Sequence, residues 1–151
     1  MAKTYSEVAT ENFQDGYNCA QSVFSAFFEK ESPDFEQAFY LLNSFGGGIG
    51  RTGNLCGAYS GGIAVLGLWY GRFNPPAPLK KEFLYSKIKE FENAFRKELG
   101  GLTCPQLLGY DIRIETERQL ANNNRVFLKI CPNLIIKSVE LLENISCFKE
   151  E

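Results

Sequence analysis

No histidine occurs in the 151 residues of this chain. Its absence removes Ser–His–Asp and Cys–His catalysis, histidine metal ligands and histidine haem ligation together. There is no C-x-x-C pair, so zinc ribbons and ferredoxin-type runs are excluded as local signatures, and without C-x-x-C-H so is covalent haem. There is no basic run either. Lys and Arg, 16 in all, are mixed with 18 Asp and Glu for a formal charge of −2. A nucleic-acid grip needs a concentrated positive patch, so no nucleic-acid partner is expected. The N-terminus, Met1 to Glu7, has no apolar signal core. That points to the cytoplasm, where thiols stay reduced and dispersed cysteines bind metal or cycle more often than they staple. The longest uncharged stretch, Thr52 to Gly71, could span a bilayer by length, but its glycines and polar residues read as a buried helix, so no membrane association is expected.

What is present is a helical pattern. Hydrophobic residues make up 44% and charged residues 23%, a mix that can bury a core in one domain covering 1–151. No segment shows convincing strand alternation. Residues 3–14 read as a first helix closed by Asp15-Gly16. Asn18 with Gln21 forms a capping box for a second helix carrying Val23, Phe24, Phe27 and Phe28. Ser32-Pro33 opens a third, to about Ser44. The glycine-rich run Gly46 to Gly53 follows, and Asn54 is placed to cap a fourth helix over about 55–71. Gly57, Gly61, Ala64, Gly67 and Gly71 recur there every three or four positions. Since each glycine costs about 1 kcal/mol of helix propensity, that stripe predicts a central helix approached closely by another backbone. Leu84, Ile88, Phe91, Phe95 and Leu99 form one apolar stripe ended by Gly100-Gly101. Thr103 and Gln106 form another capping box, and Cys131-Pro132 opens a last helix over about 132–145. Residues 110–130, broken by Asn122-Asn123-Asn124, read equally as helix or loop. The expected fold is an all-α bundle of about five to seven helices around the glycine-rich one. Thirteen Phe and seven Tyr suit an aromatic core or an oligomer face, for which a homodimer is the simplest form.

Four of the five cysteines fall at expected helix starts: Cys19 after Asn18, Cys56 after Asn54, Cys104 after Thr103, and Cys131 before Pro132. The fifth, Cys147, lies past the last apolar stripe. Unpaired N–H groups and the positive end of the helix dipole stabilise a thiolate and can bind anionic groups. The opposing reading is that these cysteines are small core residues. The sequence Gly48-Ile49-Gly50-Arg51-Thr52-Gly53 matches G-x-G-x-x-G, but it follows a helix rather than a strand and has Phe73 where an acid is needed. It reads as a connector, with Arg51 placed to face the same pocket as Cys56.

Three segments carry a resemblance: Gly16-Tyr17-Asn18-Cys19-Ala20-Gln21-Ser22-Val23; Phe45 to Arg72 with Cys56-Gly57-Ala58-Tyr59-Ser60-Gly61-Gly62; and Cys104 with Leu107 to Asp111, followed by Cys131-Pro132. In this order they resemble the C-GCAxxG-C-C redox-active proteins, over about residues 5–142. The family pattern reads Gly-Cys-Ala, whereas this chain has Cys56-Gly57-Ala58. The resemblance implies a helical fold with cysteine-based redox or metal chemistry. The family is similar to the C-terminal part of split-Soret cytochromes, which points to an iron–sulfur site.

Three functions stay open from the sequence. In the first, Cys19, Cys56, Cys104 and Cys131 ligate an iron–sulfur cluster, 2Fe–2S by preference, for electron transfer, with Arg51 beside it. In the second, the same thiols form disulfides reversibly, without metal, and exchange electrons with a redox partner protein or a small-molecule reductant or oxidant. In the third they hold structural zinc or are inert core residues in an interaction protein. Whether the chain is an enzyme is left open.

Overall fold

The computed structural model describes residues 2–145. Cys147 lies outside the described residues. Eight helices of five or more residues follow in order: α1 (Tyr5–Gln14), α2 (Cys19–Ser25), α3 (Pro33–Leu41), α4 (Gly57–Tyr70), α5 (Pro78–Leu99), α6 (Cys104–Leu108), α7 (Glu115–Asn123) and α8 (Val126–Ile145). Among the described residues the sole β feature is an isolated antiparallel bridge between Leu55 and Thr103. The fold is all-α. Among the described residues no helix is long and apolar enough to cross a membrane; the uncharged stretch is α4, buried in the protein.

Local chemistry sets the helix starts. The Asn18 side chain accepts from Gln21 N–H at 2.8 Å while Asn18 N–H donates to the Gln21 side chain at 3.1 Å. Thr103 and Gln106 make the same reciprocal pair at α6, and Ser32-Pro33 opens α3. Each such cap contributes about 1 kcal/mol. Thr4 and Glu7 form a further capping box on α1. α5 stops at Gly100 in the left-handed region.

α4 is central, packed against α2, α5 and α8. Its glycines explain how. A β-carbon on Gly61 would lie 2.5 Å from the Ala20 carbonyl oxygen and 2.8 Å from Ala20 Cα. One on Gly57 would lie 2.9 Å from Cys19 Cβ, and one on Gly62 2.5 Å from the Phe91 ring. Thus α2 rides backbone to backbone on α4, and α5 is seated through Phe91. Phe24, Phe91 and Phe95 are fully buried, each contributing about 1.5–3 kcal/mol by burial. Tyr59 stacks on Phe91 with ring centroids 5.4 Å apart. From α8, Ser138 Oγ donates to the Ala58 carbonyl at 2.7 Å.

Two sequence expectations need correction. The last helix begins at Val126, not at Pro132, so Cys131 and Pro132 lie inside it. An interior proline costs about 3 kcal/mol. Here the carbonyl deprived of its donor belongs to Leu128, which is 67% exposed, so water can satisfy it. Burial of Val126 and Cys131 against Ala121 and Ile112 holds the added turns. The ambiguous segment 110–130 supplies α7 and the start of α8, with the break at Asn124 and at Arg125, whose φ is positive. Second, α4 starts at Gly57 with Cys56 itself as N-cap. Asn54, the expected cap, instead pairs through its backbone with residue 104.

Candidate functional site

The glycine-rich run folds into a left-handed turn. Gly47, Gly48, Ile49, Gly50 and Arg51 all have positive φ. Glycine adopts this freely, whereas Ile49 and Arg51 cost about 1–2 kcal/mol each. Gly48 cannot be replaced without movement, since a β-carbon would lie 2.7 Å from the Asn54 carbonyl oxygen. Arg51 N–H donates to Gly46 O at 3.3 Å and Asn54 N–H to Gly48 O at 2.9 Å. Those amides are used inside the turn. Of the turn, Gly47 and Arg51 line the pocket that holds Cys56.

Beyond the turn the chain runs alongside residues 102–104. Cys56 N–H donates to Leu102 O at 2.7 Å and Cys104 N–H donates to Asn54 O at 3.1 Å. This short pairing puts Cys56 beside Cys104. The close approach of α2 at Gly57 and Gly61 brings Cys19, the first residue of α2, to the same place. α8 crosses so that Cys131 reaches it from a helix interior. All four cysteines are free thiols; Cys56, Cys104 and Cys131 are buried and Cys19 is half-buried.

The four line a single cavity of about 290 Å³, together with Arg51 and Gly47. The strongest contacts are Cys19 with Cys131 and Cys56 with Cys104, while Cys19 also feels Cys56 and Cys104, and Cys104 also feels Cys131, across the cavity. The Cys104 thiol donating toward Cys56, helped by the amides of Ala58 and Tyr59 at the start of α4, draws Cys56 below the usual thiol value against its burial. Contact with Cys56, then burial, pushes Cys104 up. Contact with Cys131 and then burial push Cys19 well up. A helix start therefore does not make every one of these sulfurs a thiolate. Of Cys19, Cys56 and Cys104, it is Cys56, the N-cap of α4, that is drawn toward the anion.

The expectation of four helix starts is corrected to three, since Cys131 is interior to α8. Arg118 and Asn122 on α7, Phe127 on α8, and Leu107, Leu108 and Ile112 also line the cavity. None of these is expected at the site from sequence: Leu107 and Leu108 appear there only as flanks of Cys104, and the others lie in the segment that reads as helix or loop. Arg113 is held away by Asp111, with bonds of 2.9 and 2.6 Å from its guanidinium.

Residues 17–145 match the family described as Putative redox-active protein (C_GCAxxG_C_C). The chain belongs to the C_GCAxxG_C_C family. The four cysteines of the cavity, Cys19, Cys56, Cys104 and Cys131, come in the order that the family's label gives. The order Cys56-Gly57, where the family pattern reads Gly-Cys, has a local reason: position 57 presses on Cys19 Cβ and has no room for a side chain. No curated protein and no solved structure matches the chain.

As to a metal, among the described residues no group of three or more His, Cys, Asp or Glu stands close enough to hold one ion. A binuclear centre asks less of each ion's surroundings, namely two protein sulfurs apiece, and two thiol pairs on one cavity fit that donor set.

Proposed function

We propose that this C_GCAxxG_C_C protein is an electron carrier whose redox centre is built from the thiol pairs Cys19/Cys131 and Cys56/Cys104, and that the centre is a 2Fe–2S cluster with one pair per iron. The observation that supports it most is that four free thiols line one cavity, with Cys19 in closest contact with Cys131 and Cys56 with Cys104. When bound, such a cluster supplies one-electron transfer. The protein's part is to hold the sulfurs. The α2–α4 contact fixes Cys19, the pairing of 54–56 with 102–104 fixes the second pair, and α8 brings Cys131. The amides of Ala58 and Tyr59 favour the anionic form of the Cys56 sulfur. Apolar residues Leu107, Leu108, Ile112 and Phe127 limit water around it, which tunes a redox centre.

The pairing also favours a second reading, reversible disulfide formation within each pair. Two thiols would then yield one disulfide, two protons and two electrons, taken up by a redox partner protein or a small-molecule oxidant. Anaerobic purification separates the two. Iron and acid-labile sulfide, lost on Cys104→Ser, support the cluster. Metal-free protein whose free-thiol count falls on oxidation supports the disulfides. Metal-free protein whose thiol count is constant refutes both.

A further inference from the structure

The cavity is lined by more than sulfur. Two cations line it, Arg51 from the left-handed turn and Arg118 from α7, and no carboxylate does, in a chain of formal charge −2. Among the described residues neither guanidinium has an ion pair, whereas Arg113, Arg72 and Arg96 are all paired with acids. Arg51 is exposed and Arg118 half-buried, while three of the four thiols are buried. The charge therefore sits toward the mouth and the sulfur toward the floor. Between them the walls are apolar: Leu107, Leu108, Ile112 and Phe127. Asn122 adds one polar group. At about 290 Å³ for the whole cavity, thiol centre included, the space falls just below the range of ligand pockets, about 300 to 1,000 Å³, so it suits only a compact ligand.

We infer that the cavity is a binding site for a small organic anion, a carboxylate on a compact apolar body, seated by Arg51 and Arg118 with its apolar part against Leu108, Ile112 and Phe127. This rests on the redox reading of the same cavity and deepens it by naming the class of molecule that meets the thiol centre. Guanidinium forks are suited to carboxylate oxygens, and bonds between charged partners are about twice as strong as neutral ones. Arg51 has a backbone reason to be where it is. Its β- and γ-carbons pack over Gly47, where a β-carbon would lie 2.8 Å from Arg51 Cγ, so the turn aims the side chain along the cavity wall. Arg118 is placed by α7, one turn before Asn122.

The test uses benzoate and benzamide, which share a shape and differ in charge, titrated calorimetrically into the full chain as purified anaerobically. Benzoate is expected to bind at least tenfold tighter than benzamide. Arg51→Gln and Arg118→Gln are each expected to weaken benzoate about tenfold and leave benzamide unchanged, while Arg51→Lys and Arg118→Lys retain part of the preference. The lysine variants also decide the matter should a glutamine variant fold poorly. Equal binding of the two probes, binding of neither, or benzoate binding indifferent to both arginines would overturn the inference and leave the guanidiniums as mere counter-charges to the centre. Failure of the redox reading is seen separately, as absent iron together with a thiol count that oxidation does not change.

Discussion

Replacing Gly61 by alanine tests the contact on which the site depends. In an open helix the change gains about 1 kcal/mol of propensity. Here the new methyl carbon would stand 2.5 Å from the Ala20 carbonyl oxygen and 2.8 and 3.0 Å from two other Ala20 backbone atoms. Backbone cannot rotate away as a side chain can, so α2 must shift outward by nearly 1 Å to reach ordinary contact. Overpacking of this kind costs about 1–3 kcal/mol, and the loosened α2–α4 seam adds lost burial around Ala20 and Val23, both fully buried. We expect a net destabilisation of about 2 kcal/mol, or a fall of about 4–8 °C in Tm for a chain of this size. Gly67 is the control in the same helix. Its β-carbon would meet nothing within 4 Å, so Gly67→Ala should stabilise by about 0.5–1 kcal/mol. Thermal melts of the two variants against the parent protein decide the matter. Equal behaviour, or a stabilised Gly61→Ala, would refute the close approach of α2 and with it the reason Cys19 stands beside Cys56.

Further outcomes follow from the same structure. Cys147→Ser is expected to keep the iron content or redox-dependent thiol count of the parent, whereas Cys104→Ser loses it; equal loss in both would show that the wrong four cysteines had been assigned. Pro132→Ala should raise stability by about 1–2 kcal/mol, because it restores a donor to the Leu128 carbonyl inside α8, read as a higher urea midpoint. Burial, and then the neighbouring Glu92 carboxylate, push the Tyr59 phenol up to about 12. A phenol raised above its usual value of 10 favours folding in full below pH 10 and loses that contribution as pH rises through 12. Tyr59→Phe should therefore flatten the loss of stability between pH 10 and 12, measured by denaturant melts across that range.

The helical architecture was legible because its determinants are local. Asn18/Gln21 and Thr103/Gln106 are capping boxes in the sequence and in the structure. The small-residue stripe of α4 predicts close packing, and Gly57 and Gly61 of the stripe are where α2 approaches, with Gly62, outside it, seating Phe91, while Gly67 meets nothing within 4 Å. The four cysteines could be chosen by position and resemblance, but not their grouping. Cys56 meets Cys104 through a three-residue backbone pairing too short to leave an alternating pattern. Cys131 was misplaced because proline is the strongest local sign of a helix start, and burial of Val126 outweighed it. Arg118 was missed for a related reason. It lies on a short helix with few apolar residues, whose place beside the thiols is set by the long-range packing of Ala121 and Ile112.

The most direct test of the account is the iron, acid-labile sulfide and free-thiol content of anaerobically purified protein, before and after oxidation. A 2Fe–2S centre on the two thiol pairs predicts about two iron and two sulfide per chain, both lost when any one of Cys19, Cys56, Cys104 or Cys131 becomes serine. Iron-free protein whose four thiols all react alike, and whose thiol count is the same in oxidised and reduced samples, would contradict it.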